Sequence, residues 1–463
     1  MSLSELTAIS PIDGRYRKNV IALGDYFSEF AYMRYRILIE VEYTIALLNI
    51  LKRRKLTLND KKRWRAIYQK FNSEDAFKIS AADSTWDTTK QKVTRHDFKS
   101  IQYYLNDKLH KLGYGVYVPF VHFGLTTYDI TIPAYGLALK ESRDKIIYPA
   151  VLNLLLVLKQ KAKIWANILL LGRTHGQPAV PTTIGKEIKN FEARVEKVLE
   201  QIREFRFEAK LDGAVGNFNA LVAAYSEIDW IKFSDKFLLA LGLTPNHVTT
   251  QILPYDNWLQ YFSALKLLNN VLIGFCQDVW RYISDDYLVQ IPKSDETGSS
   301  TMPQKVNPID FENAEGNLGV ANSLFEFYER KLPISRLQRD LSDSTVKRTF
   351  GVALAHSLFA YQNIISGLGK ITPNEKKINQ ELEGHWEIIT EGIQTILRTE
   401  GVVDAYEKLK KLTRGKKVTK GILDRFVNNL SVDPRTKGVL RKLSPLNYIG
   451  LAKKIAMENT NAH

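Results

Sequence analysis

Apolar residues recur three and four positions apart over most of the chain. Segments 26–52, 99–112, 137–169, 185–210, 257–288, 311–330 and 344–368 all carry this spacing, which gathers apolar side chains on one face of a helix. Few runs alternate strictly between apolar and polar positions, so strands are not expected as a main element. Several helical runs exceed about 25 residues, roughly 40 Å at 1.5 Å per residue. Lengths of this kind predict an all-α fold organised around a long helical bundle. The apolar stripes are wider than a single seam, so association with other subunits is expected to cover them. Periodicity breaks at GYGVYVPF (113–120) and at KITPNEKK (370–377). The expected division is an N-terminal helical domain (1–117), a central long-helix bundle (118–368) and a C-terminal helical domain (369–463).

Composition changes this picture little. With 463 residues, 44% of them hydrophobic, the chain can bury a large core. The lone Cys276, in the apolar run VLIGFC, is expected in that core. One cysteine excludes a disulfide framework or a cysteine-based metal site within the chain and fits a reducing compartment. The N-terminus lacks the charged-then-apolar pattern of a signal peptide. The apolar stretches 151–158 and 168–171 are interrupted by Lys159, Lys161 and Lys163 and are too short to span a bilayer. A cytoplasmic protein with no membrane partner is the expectation.

The formal charge of +15 admits three readings: a solvated basic surface, nucleic-acid binding or an anionic small substrate. Its two densest clusters, 51–65 and 408–417, lack the aromatic interleaving of a single-strand-binding groove. No zinc-finger, RNP or KH signature is present, so a nucleic-acid partner is not expected. Diffuse positive potential would still concentrate a nucleotide.

Five polar segments, four of them with glycine, separate the helical runs: 94–97, 122–129, 172–178, 213–219 and 295–308. Catalytic groups gather on such connections when a rigid scaffold holds them. GSSTMPQKVNP (298–308) joins hydroxyls, a cation and an amide between two prolines. By residue type it is either an exposed loop or a device that brings a hydroxyl and a cation to a carboxylate. GRTHGQPA (172–179) places a histidine on an accessible backbone, where it is either solvated or reactive. TRHD (94–97) and HFGLTTYD (122–129) read equally as helix caps or as sites.

The four segments together resemble the active-site signatures of the fumarase/aspartase superfamily, GSSxMPxKxNP most specifically. The resemblance implies that Ser299 is the general base and that Lys305 and Asn307 bind substrate carboxylates. It makes His175 the general acid, with Thr174 and Gln177 lining the site, and Glu312 the carboxylate that orients and charges His175. Thr94 and His96 would contact substrate, Asp97 would fix its neighbours, and Thr126 and Thr127 would bind the succinyl carboxylate. Within the superfamily, SPIDGRY (10–16) and RLQRDLSDSTVKR (336–348) resemble the adenylosuccinate lyases, and 308–317 and 406–416 resemble their bacterial long form. Arg15, Tyr16, Arg339, Ser344 and Arg348 would then hold a nucleotide phosphate, and Gln251 of TTQI would contact substrate.

What the family implies is a three-domain fumarase/aspartase-like fold and a homotetramer whose sites are shared between subunits. Its reaction is the β-elimination of fumarate from adenylosuccinate, giving AMP, and from succinylaminoimidazole carboxamide ribotide, giving AICAR. No metal or organic cofactor is implied. A lyase for a substrate without phosphate, such as argininosuccinate, is the nearest rival, and a homologue that only binds nucleotide is another; the arginines weigh against the first. The chain departs from the family's usual residues at Thr127 (Ser), Thr131 (Asn or Asp), Asp212 (Asn, Gly or Ser), Leu221 (His), Leu253 (Glu) and Gln304 (His). Those at Asp212 and Leu253 bear on how the purine is held more than on the reaction.

Overall fold

The computed structural model describes residues 4–51, 56–83, 96–292 and 301–458. Helices dominate, and the described strands form three two-stranded pairs. No described helix is long and apolar enough to cross a membrane. The chain divides into two compact units, one of Met1–Ala150, Leu199–Asn269 and Asn317–Phe359, the other of Val151–Val198, Asn270–Gly316 and Ala360–His463.

The first unit is built on an aromatic core. The Phe262 ring stacks on Phe325 at 5.6 Å and meets Phe350 at 4.8 Å; Tyr328 meets Phe350 at 5.0 Å. Trp258, Tyr255 and Tyr261 are fully buried beside them. Each such ring removes a large apolar area from water and prefers tilted or offset contacts, which fixes helix registers more sharply than aliphatic packing does. Within this core the Asn269 amide donates to Asn322 and to Ser357, both at 3.0 Å. Hydroxyls cap two of its helix starts. Ser28 Oγ accepts from Ala31 N at the head of Glu29–Ile50, and Thr57 with Asp60 closes a capping box on Leu58–Gln69.

In the second unit the Phe275 ring packs on Phe191 at 5.3 Å and on Phe311 at 6.4 Å. Cys276 is 1% exposed, as its apolar context predicts.

Three helical runs and one loop differ from expectation in instructive ways. Segment 26–52 is cut at Ser28, whose extended backbone separates Gly24–Phe27 from Glu29–Ile50. Segment 344–368 is two helices, Ser342–Lys347 and Phe350–Leu368. Segment 137–169 begins earlier, as Thr127–Ser142, passes through a π-helical turn at Arg143–Ile147 and continues as Tyr148–Ile164. Its last apolar residues enter a strand, Leu169–Thr174. The segment expected as a loop at 172–178 is the end of that strand and its partner: Leu169–Thr174 pairs antiparallel with Gln177–Thr183. His175 (φ 52°) and Gly176 (φ 73°) form the two-residue connection. Two consecutive left-handed residues are what a tight hairpin turn of the twist-matching kind requires. Gly172 sits at the irregularity in the ladder, where a Cβ would fall 2.5 Å from the Val180 carbonyl oxygen.

Candidate active site

In the first unit several sequence-predicted residues meet. Asp97 begins the helix Asp97–Lys111, with His96 as its cap; the His96 Nδ1 accepts from Lys99 N at 3.3 Å. Asp97 Oδ2 accepts from Arg36 at 2.9 Å and lies 3.5 Å from an Arg348 nitrogen. Burial pushes the Asp97 carboxyl up, but the Arg36 guanidinium, the Phe98 N–H and Arg348 together outweigh it and hold the group below the usual carboxylate range. Arg348 also donates to Ser344 Oγ at 2.6 Å and to Glu29 at 3.0 Å. The backbone runs irregularly from the end of Ile309–Lys331 to the short helix Ser342–Lys347, so Arg339 precedes that helix while Ser344 and Arg348 lie in and after it. Arg339 donates to Gln251 Oε1 at 3.2 Å, and its guanidinium lies 3.9 Å from the Tyr128 ring centroid. Tyr16 stacks on Phe359 at 4.2 Å, and Arg15 beside it is exposed.

Thr126 and Thr127 stand at the N-terminus of Thr127–Ser142, half-buried. Free backbone N–H groups and the helix dipole make such a terminus hospitable to an anion. Asp129 accepts from Thr126 N at 2.9 Å. It is wholly buried, takes Lys210 Nζ at 2.9 Å, and accepts the backbone N–H groups of Asp212 and Gly213 at 3.0 and 3.1 Å. Lys210 also pairs with Asp212 at 2.6 Å, and Thr249 Oγ1 donates to Asp212 at 2.6 Å. Burial raises the Asp212 carboxyl above its ordinary value; Lys210 and Thr249 oppose the rise and Asp129 adds to it. Asp212, which the family resemblance singles out as a departure, is therefore a buried strut that ties the start of the 213–219 segment to Thr249. Leu221 and Leu253 are likewise fully buried.

In the second unit, Thr174, His175 and Gln177 are exposed at the hairpin connection. Lys305 is exposed, Asn307 is half-buried, and Glu312 is exposed in the first turn of Ile309–Lys331. Within this single chain Glu312 accepts from the Trp280 indole at 3.1 Å and is not paired with His175. Ser299 and Thr94 lie outside the described residues. Among the described residues no group of three or more His, Cys, Asp or Glu side chains is placed to hold a metal ion.

Several polar groups around these residues were not anticipated. Glu40 is wholly buried and sits 2.5 Å from His122 Nδ1, while His122 N donates to its other oxygen at 3.2 Å. Arg36, Asp129, Lys210, Asp343 and Lys347 are also buried. For Arg36 and Glu40 the one sequence signal is a charge at a core-facing helical position, as Glu40 shows within RILIEVEY; their partners Asp97 and His122 are far away in the chain.

Comparison with known proteins accords with this arrangement. The chain superposes on a 3-carboxy-cis,cis-muconate lactonizing enzyme from Pseudomonas putida with a TM-score of 0.74, 17% identity and coverage of 94% of this chain and 95% of the other. A fumarate lyase from Mesorhizobium sp. BNC1 gives the same TM-score at 14% identity, covering 94% and 96%. The fold is thus that of the fumarase/aspartase lyases, and a family model described as "Lyase" matches residues 15–322. A second, described as "Adenylosuccinate lyase C-terminal", matches 335–449. Proteins named adenylosuccinate lyase are 46% identical in Buchnera aphidicola subsp. Baizongia pistaciae (strain Bp), over 98% of both chains, and 44% identical in Dictyostelium discoideum, over 97% of this chain and 98% of that one. The one from Escherichia coli (strain K12) is 41% identical over 98% of both. The chain belongs to the adenylosuccinate lyase family.

Proposed function

We propose that this chain cleaves adenylosuccinate to AMP and fumarate, and succinylaminoimidazole carboxamide ribotide to AICAR and fumarate, as a cytoplasmic enzyme of purine nucleotide biosynthesis. Beyond family membership, the observation that carries the substrate reading is the grouping of Arg348, Ser344, Arg339 and Gln251 in one unit. Two guanidiniums and a hydroxyl suit a dianionic phosphate, because each guanidinium can fork onto two oxygens.

In the elimination, Ser299 takes a proton from the succinyl carbon beside a carboxylate. The electron pair forms the carbon–carbon double bond of fumarate, the carbon–nitrogen bond breaks, and His175 protonates the departing nitrogen. Charge that accumulates on the carboxylate before bond cleavage is met by Lys305, Asn307, Thr126 and Thr127. A serine takes that proton as its alkoxide, which is scarce near neutral pH, so cations around it are needed to stabilise the deprotonated form.

Sharing of sites between subunits of a homotetramer accounts for two features. His175, Lys305 and Glu312 are exposed in the single chain, although acid–base groups work best away from water. Large apolar side chains on the long helices are exposed as well, among them Leu156, Leu267, Trp280, Val320 and Phe327. In such an assembly Glu312 from one subunit can reach a His175 from another.

The direct test is ultraviolet absorbance of purified protein with adenylosuccinate, with chromatographic identification of AMP and fumarate. No turnover at high enzyme concentration would overturn the assignment. Arg339→Ala is expected to raise KM for adenylosuccinate by about ten- to a hundredfold, the loss of a charge-assisted contact worth roughly 1.5–3 kcal/mol. The same variant should bind a dephosphorylated analogue as the parent does; an equal loss would place Arg339 elsewhere than at the phosphate.

A further inference from the structure

Beneath the candidate substrate-binding residues of the first unit lies a layer of polar side chains that the elimination does not use. Lys347 is 1% exposed. Its ammonium pairs with Asp343 and donates to Tyr255 Oη at 2.8 Å and to Tyr128 Oη at 3.2 Å, so all three of its hydrogens have acceptors. The two phenols in turn donate to Asp343, Tyr128 to Oδ1 at 2.8 Å and Tyr255 to Oδ2 at 2.7 Å. Arg339 lies against the outer face of the Tyr128 ring. Three stretches far apart in sequence meet here, and each carries a candidate substrate contact nearby. Tyr128 follows Thr127, Tyr255 is four residues beyond Gln251, Asp343 precedes Ser344, and Lys347 precedes Arg348.

A buried ion pair is a poor choice for stability alone. Desolvating both charges offsets their attraction, and an apolar residue of similar volume commonly serves as well or better. What a saturated network adds is direction: its hydrogen bonds hold only one relative placement of the elements that bear them.

We propose that Lys347 is a positioning residue: with Asp343, Tyr128 and Tyr255 it sets the spacing between the Thr126–Thr127 helix start and the Ser344–Arg348 segment. This rests on reading those residues as the carboxylate- and phosphate-binding groups of the substrate site. Burial pulls the Lys347 ammonium down to about 8, against the upward pull of Asp343. The groups that face it are Asp343 on its own helix, Tyr128 and Tyr135 from Thr127–Ser142, Tyr255, Arg339 from the preceding segment, and Arg36 from Glu29–Ile50. Burial keeps Tyr128, Tyr135 and Tyr255 neutral by raising them, and Asp343 is held low, its burial outweighed by Lys347 and the phenols. Loss of the Lys347 proton therefore removes one strut while Asp343 keeps its charge.

The test compares parent, K347M and the uncharged double variant K347M/D343N in the full-length protein. For K347M the expected result is a KM for adenylosuccinate raised about tenfold with kcat changed less than about threefold, since misplaced binding groups act on association before chemistry. The parent's KM should rise between pH 7 and pH 9, and K347M should lose that rise. Calorimetric titration with AMP, which needs no turnover, should show a Kd about tenfold weaker. The double variant carries the same expectation and no stranded buried charge, so it decides the matter if K347M does not fold. A folded variant with the parent's KM, pH profile and AMP affinity overturns the positioning role. A parent that binds AMP but does not cleave adenylosuccinate, with AMP binding weakened in K347M, overturns the reaction and leaves the positioning role standing.

Discussion

His175→Asn is expected to lower kcat for adenylosuccinate by about 10²–10⁴-fold, the range that a positioned proton donor contributes, with an unfolding temperature unchanged within error. The test is clean within the chain because His175 is exposed at the hairpin connection, outside the buried core. Its backbone is left-handed, with φ 52°. Asparagine tolerates that conformation better than alanine does, since its short polar side chain bonds locally. The substitution thus removes the imidazole without straining the turn. Ser299→Ala should lose rate on the same scale, through the base rather than the acid. Kinetics with purified variants, alongside thermal unfolding, separate the outcomes. Retained kcat in either folded variant would remove that residue from the mechanism.

Lys210→Met is expected to destabilise the protein by about 3–5 kcal/mol, the cost of stranding buried charge by removing its partner. Lys210, Asp129 and Asp212 are all fully buried, and Lys210 is the cation between the two carboxylates. Asp212→Asn should behave oppositely, with stability at pH 7 equal to the parent's or higher, since Lys210 keeps its pair with Asp129 and Thr249 keeps an acceptor. The direction with pH follows from the raised carboxyl. As pH falls, native Asp212 binds its proton before the unfolded chain does, whose group titrates near 3.8. Asp212 therefore costs stability at neutral pH, and that cost is relieved on acidification toward the unfolded value. Asp212→Asn should accordingly lose more stability than the parent between pH 7 and pH 4.5. Urea denaturation at both pH values reads both effects. A Lys210→Met protein as stable as the parent would show that water or rearrangement compensates the two carboxylates. A large loss in Asp212→Asn at pH 7 would contradict the assigned sign.

These two sites mark the reach of sequence reading. GRTHGQPA was legible as a family motif but not as a hairpin, because its flanking strands, LLLGRT and QPAVPTT, alternate too weakly to signal period two. The His-Gly pair at the turn was the available clue, a variant of the Asn-Gly pattern that supplies two left-handed residues. Asp212 was legible as a departure from family habit but not as a strut. Its partners Lys210, Asp129 and Thr249 lie up to 83 positions away, and periodicity carries no information about which distant charges meet.

The sequence by itself determined the helical class, the extents of most long helices to within a few residues, the buried Cys276 and the family with its chemistry. These are local properties: spacing of apolar residues along one helix, or short runs whose residue types must occur together. Only the tertiary structure decided where helices break, at Ser28 and after Lys347, and which buried ions pair. It alone brought Arg348 to Asp97 and Ser344, Arg339 to Gln251 and Tyr128, and Lys347 to two tyrosines from other elements. Pairings of this kind depend on directional hydrogen bonds made after the chain has collapsed, at separations where sequence pattern no longer constrains position.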